Sequence, residues 1–84
     1  MKLLNVGFGN SVAAGRVLAV VNADAAPIRR MIQSARDNAT AVDATAGRKT
    51  RAVLVMDTGH VVLSALQPET LSARLADEDK GDEP

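Results

Sequence analysis

The chain has no cysteine, no tryptophan and no tyrosine, and Phe8 is its single aromatic residue. Without cysteine there is neither a disulfide framework nor a thiolate metal site. Large rings bury the most area per residue, so their scarcity leaves the core to Ala, Val, Leu, Ile and Met, which supply nearly all of the 46% apolar fraction. Eighty-four residues make one domain, near the size at which a single core only just outweighs chain entropy. Association with further copies is the remaining common remedy, so composition alone predicts an oligomer. Histidine occurs once, as His60, and with no second imidazole or thiol beside it a metal or acid-base role is not expected. Long apolar runs are missing too. The opening M-K-L-L-N-V-G-F-G-N is interrupted by Asn5 and Gly7, which is too short and too broken for a signal peptide or a membrane span, so a cytoplasmic location without membrane contact is expected. With no secretory signal, the glycosylation sequon at Asn38-Ala39-Thr40 reads as a chance match.

Net charge is zero, but its distribution is uneven. Residues 1–56 carry eight Lys/Arg against three acids, and residues 57–84 two against seven. Five of those seven acids fall in the terminal D-E-D-K-G-D-E-P, a segment without apolar residues that is expected to be disordered. The chain thus divides into a folded basic body, 1–76, and an acidic tail, 77–84. The tail is either a solubility device or a flexible mimic of a polyanion.

Along the body, Leu3 to Val6 reads as a first strand. The G-F-G-N turn after it needs positive φ, with Phe8 expected to fold back on the core. A nest of backbone amides at Gly7 to Ser11 is the alternative. Val17 to Val21 is a continuous β-branched run, expected to be a strand covered on both faces. A helix follows, with Asp24 as cap and Pro27 in its first turn. Ile28, Met31, Ile32, Ala35 and Ala39 form one helical stripe, and the helix is expected to end near Asn38. Thr40 to Thr45 is a plausible edge strand. From Arg51 the alternation is apolar on both faces, so Ala52 to Met56 should be a central strand, returning through the turn Asp57-Thr58-Gly59-His60 as Val61 to Ala65. Gln67-Pro68-Glu69 opens a short last helix with Leu71 and Leu75 on its inner face. The fold class expected is therefore α+β, a small mainly antiparallel sheet with one amphipathic helix and a short C-terminal helix.

Three cations, Arg48, Lys49 and Arg51, occupy four positions directly before the central strand. That layout suits binding a polyanion. It does not suit catalysis, since no side chain in the stretch is a ready general base or activated nucleophile. Gly47-Arg48-Lys49-Thr50 superficially suggests a phosphate loop, but Arg48 separates glycine from lysine, no upstream glycine is correctly spaced, and a strand follows where the motif needs a helix. No enzyme, cofactor or small-molecule substrate is expected. Arg16, at the leading end of its strand, is either a solvated terminus or a fourth member of the cluster.

Four blocks carry a family resemblance: V-G-F-G-N at 6–10, A-P-I-R-R-M-I-Q-S-A-R-D at 26–37, D-A-T-A-G-R-K-T-R-A-V at 43–53 and L-S-A-L-Q-P-E-T at 63–70. In order and spacing they resemble the extracellular-matrix regulatory protein RemA family of bacteria. The resemblance implies a small double-stranded-DNA-binding protein that activates transcription, notably of biofilm-matrix operons, and a closed homo-oligomeric ring of about seven or eight subunits. It places the DNA-contacting cations on Arg16, Arg48 and Lys49, on the outside of the ring. Lys49 departs from the family pattern, which has arginine there. Charge survives the change but the bidentate fork does not. Arg51 belongs to the same motif, with an ion pair to Asp43 or Asp57 as the competing role. Two alternatives remain beside the DNA-binding reading: a structural or protein-interaction ring whose cations meet acids of neighbouring subunits, and an RNA-binding regulator. The scarcity of aromatics disfavours the latter, because splayed bases need rings to stack on.

Overall fold

The computed structural model describes residues 2–81, with side chains as far as residue 77. The first apolar run, Leu3–Gly7 (β1), folds back on Asn10–Ala13 (β2) as an antiparallel hairpin that stands apart as its own small sheet. A 3-10 turn at Ala14–Arg16 leads into Val17–Asn22 (β3), the helix Ala26–Asp37 (α1) and the short strand Ala41–Asp43 (β4). Ala52–Met56 (β5), Val61–Ser64 (β6) and the helix Pro68–Gly81 (α2) complete the chain. The four later strands form one sheet in the order β3-β5-β6-β4. β3 and β6 pair antiparallel with β5, and only β4 with β6 is parallel. The class is α+β and mainly antiparallel, as expected. β3 and β4 run in the same direction on opposite edges, and α1 is the crossover between them.

The period-2 alternation of β5 and β6 sends side chains to two faces, and each face is covered by different elements. Val53, Val61 and Leu63 meet Ala23 and Ala35, with Ile28, Met31 and Ile32 of α1 packed over them. Ala52, Leu54 and Val62 meet Leu4 and Val6 of the hairpin and Leu71 of α2. The result is three layers, α1, sheet, then hairpin with α2, around two thin cores. Leu54, Leu63 and Leu71 are fully buried, each contributing about 1.5–3 kcal/mol of transfer free energy. The central position expected for β5 follows directly from its two apolar faces.

Several local expectations need correction. Ser11 and Asn10, read as loop residues, lie in β2. β3 is not covered on both faces: it is an edge strand, and Leu18 is 69% exposed. Asp24 does not cap α1. The cap position is Ala25, without a side-chain bond, while Asn22 Oδ1 accepts the Asp24 N–H at 2.8 Å and tightens the preceding turn. Pro27 does sit in the first turn. At the other end Asn38 stays at φ −94°, and the left-handed residue is Ala39 at φ 58°, which takes Ala39 off the buried stripe. The last helix is not short: it runs from Pro68 to Gly81, and residues 82–84, the end of the acidic segment 77–84, lie outside the described residues. Leu71 and Leu75 do face the core.

Candidate nucleic-acid interface

The sheet register decides which loops share an end. Asn22 pairs with Ala52, Ala52 with Ser64, and Asp43 with Leu63, so the end of β3, the start of β5 and the ends of β6 and β4 lie side by side. The loop between β4 and β5 leaves from this edge. Its first turn is built by Asp43, whose Oδ1 accepts both the Thr45 N–H (2.9 Å) and the Thr45 hydroxyl (2.6 Å). Those two bonds hold the Asp43 carboxyl below its usual range, with Arg36 adding to the effect and partial burial opposing it. Thr45 is buried, and its carbonyl accepts the Arg48 N–H at 3.0 Å. Ala46 (φ 53°) and Gly47 (φ 80°) then turn the chain back. Arg51 is fastened at both backbone ends, its N–H donating to Ser64 O at 2.9 Å and its carbonyl accepting Ala23 N–H at 3.1 Å. Arg48, Lys49 and Arg51, all exposed, are thereby carried on a ledge anchored to three strands.

The hairpin tip completes the same end. Gly7 (φ 104°), Phe8 (φ 54°) and Gly9 (φ 79°) are three successive residues at positive φ. Asn5 Oδ1 accepts the Gly7 N–H at 2.8 Å, Asn10 Nδ2 donates to Gly7 O at 3.2 Å, and the buried Ser64 hydroxyl donates to Val6 O at 2.9 Å. Phe8 does not fold back on the core. It is 50% exposed, with the Arg48 Cζ 5.1 Å from its ring centroid. Gly7, by contrast, packs inward, with Leu66 3.4 Å from where a Cβ would stand. Phe8, Arg48, Lys49, Arg51, Ala65 and Leu66 line an open concavity of about 390 Å³. Its walls carry three permanent cations and no carboxylate or imidazole, so it can hold anions and has no group to move a proton at neutral pH.

Arg16 is not part of this end. Its carbonyl accepts the Asp57 N–H at 2.9 Å and its guanidinium meets Asp57 Oδ2 at 3.3 Å, at the far end of β5. Arg51 and Asp57 flank that strand, roughly 20 Å apart at about 3.3 Å per residue. The Arg16–Asp57 pair is open to solvent and contributes at most about 1 kcal/mol. With Asp57 engaged by Arg16 and Asp43 by Thr45, no salt bridge involves Arg51 among the described residues. His60 sits in the far turn with its Nδ1 2.8 Å from the Thr58 hydroxyl. Among the described residues no three His, Asp or Glu side chains converge as metal ligands, and no helix is long and apolar enough to cross a membrane.

A second open feature lies on the flank of the sheet. The free edge of β3 and the adjoining side of α2 leave a groove of about 320 Å³ lined by Val17, Leu18, Val20 and Leu75 among others. Sequence reasoning missed both this exposure and that of Phe8. The two glycines around Phe8 permit a turn able to face either way, so its exposure has no signal in the sequence.

Comparison with known proteins identifies relatives of this chain. A family model described as extracellular matrix regulatory protein A-like matches residues 3–75. The extracellular matrix regulatory protein A of Bacillus subtilis is 55% identical over 76 residues, covering 90% of this chain and 85% of its own length. A chain of Dictyoglomus turgidum with a regulatory-protein name is 54% identical over 83 residues, covering 99% of this chain and 98% of its own. One of Halothermothrix orenii, named in the same way, is 57% identical over 79 residues, 94% of each chain.

Proposed function

This chain belongs to the RemA-like family, and from that premise we propose that it is a homo-oligomeric regulator of transcription that binds duplex DNA through the basic end of its sheet. The observation that carries this reading is the convergence of Arg48, Lys49 and Arg51 on one anchored ledge with no acid in the concavity they line. The backbone beneath these exposed cations is already anchored, so only their side chains need ordering when they meet a phosphate. Arg48 and Arg51 offer planar forks to phosphate or guanine, whereas Lys49 offers charge alone. Because Phe8 is the sole ring, the end lacks the row of aromatics that single strands or splayed RNA bases stack on, and duplex DNA fits better.

Three cations on one subunit bind weakly, so repetition is part of the proposal. The uncovered edge of β3, with Leu18 at 69% exposure beside the groove under α2, is the surface on which a second copy would close. Head-to-tail repetition of such a contact gives a ring, of about seven or eight subunits by family resemblance. Arg16, remote from the trio within one chain, joins a shared outer track only through a neighbouring subunit. Many phosphate contacts made at once release many counterions, so affinity falls steeply with salt. The name of the Bacillus subtilis relative refers to the extracellular matrix, and matrix genes are the proposed targets.

The test is gel retardation of a promoter-length duplex with Arg48 and Lys49 both changed to alanine. Binding is expected to disappear while the oligomer mass stays constant. Undiminished retardation would reject the reading, and breakdown to smaller species without loss of DNA affinity per assembled particle would favour a purely structural ring.

A further inference from the structure

Phe8 stands out for reasons the fold does not require. It is the only aromatic residue in the chain, yet half of it is exposed, and its backbone is left-handed at φ 54°. Bulky residues avoid that region, because the Cβ crowds the following carbonyl. The surroundings hold it there: Asn5 and Asn10 bond the Gly7 backbone from two sides, and the Ser64 hydroxyl ties Val6 to the sheet. Strain that is fixed this firmly, at a position which buries little, points to a role for the ring where it stands.

What the ring meets is the Arg48 guanidinium, 5.1 Å from the centroid and within cation–π range. We propose that Phe8 is the positioning residue of the basic end, holding Arg48 over its ring so that one planar cation of the trio is preorganised toward the anion. A solvent-exposed arginine loses rotamer freedom on being fixed. A ring that restricts it beforehand removes part of that loss from the binding step. Lys49 and Arg51 have no such neighbour among the ring contacts of the described residues, so the three cations are unequal. Arg48 supplies a fixed direction and the other two supply charge.

The inference rests on the DNA-binding reading for its consequence, but not for its geometry, so the experiment has two arms. In the free protein, side-chain nitrogen relaxation of Arg48 Nε is compared for the wild type, Phe8→Leu and Phe8→Tyr. Leucine carries the same Cβ at the same backbone angle and tyrosine keeps the ring, so the turn is conserved in both. Arg48 is expected to become more mobile in Phe8→Leu and to stay restricted in Phe8→Tyr. Equal mobility in all three overturns the proposal. In the second arm, affinity for a short duplex at low salt is measured in a double-mutant cycle with Arg48→Ala. Phe8→Leu is expected to weaken binding by a factor of about two to five per bound subunit when Arg48 is present, and to change nothing when Arg48 is alanine. The same loss in both backgrounds would mean that the ring touches DNA itself or merely shapes the turn, and would overturn the positioning role. Should Arg48→Ala leave affinity untouched, the DNA reading of this end fails, while the relaxation arm still decides whether Phe8 holds Arg48.

Discussion

Replacing Ser64 with alanine tests how the hairpin is fastened to the sheet. Ser64 is fully buried, and its hydroxyl donates to Val6 O at 2.9 Å while accepting the Leu66 N–H at 3.1 Å. Alanine leaves both partners without that oxygen. Val6 is itself fully buried, so its carbonyl loses a bond that water cannot replace, which costs about 1–3 kcal/mol. The Leu66 amide is only half-buried and can regain a water, so its share is smaller. The expected loss is about 2 kcal/mol, a large fraction of the roughly 4–12 kcal/mol a chain of this length has. With a urea slope near 1 kcal/mol per molar, the midpoint falls by about 2 M. Urea unfolding followed by circular dichroism must be run at one protomer concentration, because association contributes to apparent stability. A midpoint shift below about 0.5 M would mean that the hairpin is held by apolar packing alone, and would refute the view that this bond fixes the basic end.

Further outcomes follow from the same geometry. Gly7→Ala should destabilise more than Gly9→Ala in the same urea assay, because φ 104° at Gly7 lies farther from the left-handed well near about 57° than φ 79° at Gly9 does; equal losses would contradict it. Asp43 is held below its usual range by the Thr45 bonds, so the unfolded chain binds its proton more readily than the folded one. The resulting stability is complete above the unfolded value of about 3.9 and is lost as pH falls through the lower folded value. Thr45→Val, which removes the hydroxyl donor and keeps the shape, should flatten that acid limb in a pH series of urea midpoints, and an unchanged limb would reject the assignment. Leu18→Asp places a charge on the uncovered edge of β3 and should lower the mass seen by light scattering while circular dichroism stays native. An unaltered mass would remove this edge from the proposed contact between copies.

Much of the fold was legible because its signals are local. Alternating apolar residues from Ala52 to Met56 announce two covered faces, Asp57 to His60 carries the chemistry of a tight hairpin, and the spacing of Ile28, Met31, Ile32 and Ala35 defines a single stripe. What stayed hidden depends on neighbours far along the chain. The run Val17 to Val21 looks as apolar as a central strand, yet nothing within the run says that no strand lies beyond it. β2 was missed because Asn10 and Ser11, its two exposed residues, resemble loop residues. Arg48, Lys49 and Arg51 were found together because they are together in sequence. Arg16 could not be placed beside or away from them until the pairing of Val17 with Met56 fixed it at the opposite end of β5. The exposure of Phe8 was equally out of reach, since flanking glycines permit a turn facing inward or outward.

The account depends most on the trio being the surface that neutralises phosphate. The direct measurement is fluorescence anisotropy of a labelled duplex over a salt series, with the wild type beside a variant in which Arg48, Lys49 and Arg51 are all glutamine. The slope of log K against log salt is expected to be steep for the wild type and to shrink by about 0.9 for each phosphate that the variant no longer neutralises, with no change in oligomer mass. Equal slopes for the two proteins would place the DNA-binding surface elsewhere.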